Sequence, residues 1–167
     1  YRSHSFPTRR SSDLFENNRK LKLVVPCQNE KDKDELIYKE FMAYKFFEEL
    51  SDIHLKTQAV SLKIIELKNG KEIEHNMFAF LVEDDNKVAD RHAIKKYPSR
   101  RMSPLAVKDS SAINFTLFSY MIGNTDWSLA YQHNTEMFFD GKRMIAVPYD
   151  FDHSGLVNAF YAKPNPM

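Results

Sequence analysis

GNTDWSLAYQHNTEMFFDGKRMIAVPYDFDHSG, from Gly123 to Gly155, decides how this chain is read. Thr135–Phe139 and Arg143–Val147 have the look of strands around Asp140-Gly141, a pair suited to two-residue hairpin turns because both positions tolerate positive φ. Such a turn pairs Phe139 with Lys142 and Thr135 with Ala146. It returns Asp150 to the neighbourhood of Asn134, and the preceding loop sets Asp126 near both. Three oxygen-bearing side chains at one hairpin end suit a hard divalent cation such as Mg²⁺, which takes one or two carboxylates plus phosphate oxygens. Each residue also has a plain structural explanation. Asp126 and Asn134 can cap turns, and Asp150 with Asp152 can be a surface acidic pair.

An Asp, a loop ending in His-Asn, a hairpin and then Pro-aromatic-Asp-x-Asp resembles the catalytic segment of atypical protein-kinase-like enzymes. The resemblance is nearest to CotH-type spore-coat kinases and more distant to HipA-type kinases, whose Gly-Asn-Thr-Asp loop is repeated at Gly123–Asp126. It implies an α+β, protein-kinase-like two-lobed fold, truncated at both ends. It also implies that ATP is the nucleotide, with Mg²⁺ as the ion and Mn²⁺ an alternative. By position, Asp126 orients or deprotonates the acceptor hydroxyl, His133 positions the loop, and Asn134 and Asp150 hold the metal. Asp152 stands where Asp-Phe-Gly has its glycine, and either binds a second ion or braces the loop. Asp126 and Asn134 are further apart than in HipA-type kinases, so Trp127–Gln132 must fold outward; CotH-like members tolerate that spacing.

HSFPTRRSSDL, His4 to Leu14, reads as the translation of a common sequencing-library adaptor, so residues 1–14 are set aside as non-native. Without Arg2, Arg9, Arg10 and Asp13 the formal charge of +1 becomes −1. No basic excess then argues for nucleic acid or an anionic membrane. No apolar run is long enough to cross a bilayer. Aromatic residues make up 13% of the chain against only 4 glycines, which fits a packed domain. Cys27 is the only cysteine, which excludes an intrachain disulfide and a cysteine-based zinc site.

In chain order, Lys20–Val25 alternates as a strand that Pro26 ends. Asp32-x-x-Glu35 resembles a capping box for a helix running to about Leu50. Leu36, Ala43, Phe47 and Leu50 form an apolar stripe on it, flanked by Ile37, Phe41 and Tyr44. Glu40 lies inside that stripe, where a carboxylate is costly unless paired. In the kinase resemblance its partner is the phosphate-clamping lysine of the preceding strand, which gives a Lys22–Glu40 pair. Thr57–Leu67 and Glu72–Val82 then read as a hairpin around Asn69-Gly70. The apolar run Met77–Val82 suggests a central strand. By the same resemblance, the backbone of Leu81–Glu83 faces the adenine. No glycine-rich phosphate loop is present in the sequence.

Residues 15–83 thus form a partial smaller lobe, and 84–167 a partial larger lobe with the catalytic and metal loops. Asn86–Lys108 reads as a solvated connector. A helix follows over about Ser111 to Ile122, with Asp109 or Ser110 as N-cap, apolar round most of its circumference and stopped by Gly123. The expected activity is phosphoryl transfer from ATP to a hydroxyl, with a protein as the acceptor. Two alternatives stand beside it: a nucleotide- or partner-binding pseudokinase without catalysis, and a metal-dependent hydrolase using Asp126, Asp150 and Asp152. Nucleotidyl transfer remains open too.

Overall fold

The structure, a computed structural model, describes residues 20–26, 33–98 and 101–162. Its class is α+β, as expected. Strand β1, Leu21–Val24, precedes helix α1, Lys33–Leu50, and the hairpin β2, Thr57–Lys68, and β3, Lys71–Glu83. Helix α2, Asp85–His92, and the short β4, Lys95–Lys96, lead to a 3₁₀ turn at Pro104–Ala106 and helix α3, Asp109–Met121. The hairpin β5, Thr135–Phe139, and β6, Met144–Pro148, ends the regular structure. Two antiparallel three-stranded sheets result, in the orders β1-β3-β2 and β4-β5-β6.

The Asn-Gly turn forms as the sequence suggests. Asn69 and Gly70 have φ of 52° and 75°, and Lys68 pairs with Lys71. β3 is central, with Leu23 opposite Leu81 on one side and Gln58 on the other. Asp32 and the rest of the capping box before Lys33 lie outside the described residues. On α1, Ile37, Glu40, Ala43, Tyr44 and Phe47 are buried, while Leu50 is exposed at the helix end.

One core runs through both sheets. Tyr44, Phe47, Phe80, Val88, Phe118, Phe138, Val147 and Phe151 belong to a single buried cluster, which therefore crosses the expected boundary at residues 83 and 84. Aromatic rings link its parts: Phe80 to Tyr44, Tyr44 to Phe151, and Phe151 to Phe118, with centroids 5.5, 4.8 and 5.6 Å apart. Edge-on contacts at these separations add to the burial energy because ring edges are electropositive and faces electronegative.

Four expectations are corrected. The 135–148 hairpin is displaced in register: Phe139 pairs with Met144 and Thr135 with Pro148, and the Asp140 amide donates to the Arg143 carbonyl at 3.2 Å. The cause is Asp140, whose carboxylate accepts from the Lys142 and Arg143 amides at 2.8 Å each and moves the turn one residue along, to Gly141-Lys142. The slip is two residues, so every side chain keeps its face. The connector after Asn86 contains α2, capped by the Asp84 carboxylate on the Asn86 amide and closed by Ala93 at φ 53°. Helix α3 begins after Lys108 without a side-chain cap. It buries Phe115, Phe118 and Ser119, but Ile113, Leu117, Tyr120 and Met121 are exposed, so only one face is packed. Among the described residues no helix is long and apolar enough to cross a membrane.

Candidate functional site

The site is built where the end of β5/β6 meets the loop after α3. Gly123 takes φ +63°, and a Cβ there would sit 3.4 Å from the Gly155 Cα. The two glycines let the loops cross backbone to backbone, with the Gly155 amide donating to the Gly123 carbonyl at 3.0 Å and the Leu156 amide to the Ile122 carbonyl at 2.9 Å. Buried Asn124 then shapes the loop that follows α3. Its side-chain oxygen accepts from the Asp126 amide at 3.0 Å, and its carbonyl accepts from the Trp127 indole at 3.0 Å. Trp127 packs edge-on to Phe115.

Asp126, His133 and Asn134 come together across the outward loop 127–132. His133 Nε2 is hydrogen-bonded to Asp126 Oδ1 at 2.9 Å. The Asn134 amide nitrogen donates to the Asp126 carbonyl at 2.8 Å and to its Oδ2 at 3.1 Å. That orientation fixes which end of the Asn134 amide is which, and leaves its oxygen as an acceptor with no donor among the described residues. Gln132, Asn134 and Asp150 have φ of 53°, 48° and 62°. This left-handed region is costly for side-chain-bearing residues other than Asn and Asp, and clusters of it mark places where the surrounding fold imposes geometry.

Asp150 joins this group through the Tyr149 amide, which donates to the Asn134 carbonyl at 3.2 Å. Its own carboxyl is pushed up from the ordinary aspartate value by burial first, then by the charges of Asp152 and Asp126. Asp152 and Asp126 thus lie close enough for their charges to act on Asp150, and His153 and His133 offset part of that repulsion. Asp152 is partly exposed, with His153 Nε2 3.8 Å from its Oδ2.

Lys22 and Glu40 line one cavity of about 300 Å³ together with Asp150 and Asp152, yet they make no ion pair. The expected Lys22–Glu40 pair is corrected. The Lys22 ammonium stands 5.4 Å over the Tyr149 ring, and its field acts on Asp85 and Glu136. Glu40 is 4% exposed and accepts from the Phe151 amide. Its carboxyl is raised to about 8 by burial, then by Asp150 and Asp152. One turn further along α1, the buried Tyr44 hydroxyl accepts from the Asp150 amide at 2.9 Å. Glu40 and Tyr44 thus hold the backbone of the acidic loop from one helix face. Asn124 and Tyr44 were not singled out from the sequence. For Tyr44 the signal was there, since residues four apart on a helix share a face with Glu40.

Leu81 and Glu83 do not line the cavities at this site. Their backbone is taken up by the ladders to β1 and β2 and by the bond from the Glu83 amide to the Lys56 carbonyl at 2.9 Å. The Glu83 carboxylate is buried against Arg91, with Arg91 Nη2 2.9 Å from Oε2.

Among the described residues no three His, Cys, Asp or Glu side chains gather closely enough to hold a metal by themselves. What the donor set fits is a hard ion that takes part of its shell from a phosphate ligand: one free amide oxygen at Asn134 and the mutually repelling carboxylates of Asp150 and Asp152. No family model, curated protein or solved structure matches the chain.

Proposed function

We propose that this chain is a kinase-like phosphotransferase that moves a phosphoryl group from Mg²⁺-bound ATP to a hydroxyl, on a protein acceptor. The observation that carries the reading is the meeting of Asp126, His133, Asn134 and Asp150 at one hairpin end. The sequence had suggested Asp126, Asn134 and Asp150 as a set, with His133 beside them by the kinase resemblance. The order strand, helix, hairpin before that site, with β3 between β1 and β2, supports it further.

In this reading the Asp126 carboxylate receives the acceptor hydroxyl proton, and His133 and Asn134 hold it in place from either side. The Asn134 oxygen and the Asp150 carboxylate would hold the metal, with Asp152 beside them. The ion would offset phosphate charge and bridge the nucleotide to this loop. Lys22, over Tyr149, is a cation available to phosphate oxygens. Glu40 and Tyr44 are positioning residues for the 150–151 backbone.

The test is transfer of the γ-phosphate of ATP by the wild type and by Asp150→Ala, with circular dichroism as the fold control. Activity that disappears in the variant supports the assignment, and undiminished activity in a folded variant overturns it. A second reading, a nucleotide-binding module without turnover, is favoured by one observation: the Glu40 carboxyl is committed to the Phe151 amide and leaves Lys22 unpaired by it. That reading predicts Mg²⁺–ATP binding with no product. The hydrolase alternative needs a metal gripped by side chains alone, and so predicts tight Mg²⁺ binding without nucleotide. Calorimetry with Mg²⁺, with and without ATP, separates it from the other two.

A further inference from the structure

Two cavities meet at Tyr149, which lines both. The smaller, of about 300 Å³, reaches Lys22, Asp150 and Asp152. The larger, of about 1100 Å³, reaches His133 and Asn134. Those two residues hold the Asp126 carboxylate, with His133 Nε2 at 2.9 Å and the Asn134 amide nitrogen at 3.1 Å. The larger cavity therefore comes within one side chain of Asp126. Small-molecule sites occupy roughly 300–1,000 Å³. The smaller cavity is of that class, and the larger exceeds it.

The walls of the larger cavity include the flat rings of Tyr97 and Tyr131. Tyr131 is exposed, with the Arg101 guanidinium carbon 5.5 Å over its ring. Between Tyr131 and His133 stands Gln132, half-buried and also part of the wall. Its side-chain nitrogen is buried with no hydrogen-bond partner among the described residues. A buried donor in that state costs about 1–3 kcal/mol unless an acceptor reaches it. The backbone of Gln132 is left-handed as well, at φ 53°, a region costly for glutamine. The fold therefore holds an unsatisfied amide at the cavity wall, next in the chain to the histidine that touches Asp126.

We propose that the larger cavity is the acceptor cleft and takes an extended polypeptide, the Gln132 amide donating to a main-chain carbonyl beside the reacting hydroxyl. The proposal rests on the reading of Asp126 as the group that receives the hydroxyl proton. An extended chain offers a carbonyl acceptor at every residue, so this bond holds the polypeptide whatever its side chains. The adjacency of Gln132 to His133 sets that bond beside Asp126. Tyr97 and Tyr131 supply flat surfaces for the rest of the segment, and the smaller cavity is left to the nucleotide.

Initial rates of transfer from Mg²⁺–ATP to a degenerate peptide library with a central serine are compared for the wild type, Gln132→Gly and Gln132→Glu. Calorimetry gives the Kd for Mg²⁺–ATP of each protein. Glycine suits the left-handed backbone and lacks the amide, and glutamate keeps the length but only accepts. Both variants should raise the peptide KM by about threefold to tenfold, the scale of one hydrogen bond, with the Kd for Mg²⁺–ATP unmoved. Gln132→Gly should melt no lower than the wild type, a readout that a structural role for the amide would shift. The glutamate variant carries the test if the glycine one does not fold. A peptide KM unchanged in both variants, or a Kd for Mg²⁺–ATP that rises with it, overturns this assignment alone. Transfer to glycerol with none to peptides overturns it too, and leaves the use of ATP standing. Absence of transfer to any acceptor overturns the proposed function and this assignment with it.

Discussion

Replacing Glu40 by glutamine isolates the role of α1 under the acidic loop. In the metal-free protein the Glu40 carboxyl is raised from 4.5 to about 8, by burial first and then by Asp150 and Asp152, with the Phe151 amide offsetting part. A carboxyl raised by folding contributes its stability fully below the unfolded value and loses it as pH climbs through the folded one. The window here therefore runs from 4.5 to about 8. Each tenfold in proton affinity is worth about 1.4 kcal/mol, so complete ionisation forfeits on the order of 5 kcal/mol. At pH 7 about 3 kcal/mol is already lost, because the unfolded chain releases the proton that the folded chain retains. Glutamine is neutral in both states and keeps an acceptor for the Phe151 amide. Urea unfolding in metal-free buffer from about pH 5 to about pH 8.5 should show wild-type stability falling by several kcal/mol more than that of Glu40→Gln. Groups that do not interact with Glu40 are common to both proteins and drop out of the difference, while Asp150 and Asp152, coupled to Glu40, leave a smaller remainder of their own. Parallel profiles would refute the reasoning and would mean that Glu40 is ionised and neutralised in the folded chain.

Tyr44→Phe removes the hydroxyl that accepts from the Asp150 amide. It should cost about 1–3 kcal/mol in chemical denaturation, the penalty of a buried donor left unpaired; a loss below measurement would show that the amide finds water instead. Gly123→Ala forces a side chain into φ +63° at the crossing with Gly155. It should destabilise by about 1–2 kcal/mol, and an unchanged melting temperature would argue against that close approach. Arg91→Met strands the buried Glu83 carboxylate, leaving it the Lys56 amide at 3.1 Å, and should cost about 3–5 kcal/mol in the same assay. The double substitution Arg91→Met with Glu83→Leu should recover most of that loss.

Alternation, helical spacing and turn chemistry were enough to place most elements. The Asn69-Gly70 turn was legible because few dipeptides accept positive φ at both positions. The Asp126–Asn134–Asp150 grouping was legible because a hairpin joins chain segments whatever its register. Its exact register was not, since the competing choice is made by the Asp140 side chain bonding two amides ahead. Helix α2 was hidden because its eight residues are mostly polar, with Val88 and Ala89 the apolar ones, and it is fixed by the Asp84 cap and the burial of those two.

The sequence by itself determined local geometry: which residues turn, which face of α1 is apolar, and which oxygen-bearing side chains flank the last hairpin. Only the tertiary structure decided the partners. Glu40 sits in a stripe that looked as though it needed a lysine, yet folding sets it against the Phe151 amide and two aspartates, while Lys22 lies over Tyr149. The reason is physical. Secondary structure follows from interactions a few residues apart, whereas the pairing of a buried charge depends on which backbone donors the packed core brings within reach, and no spacing along the chain encodes that distance.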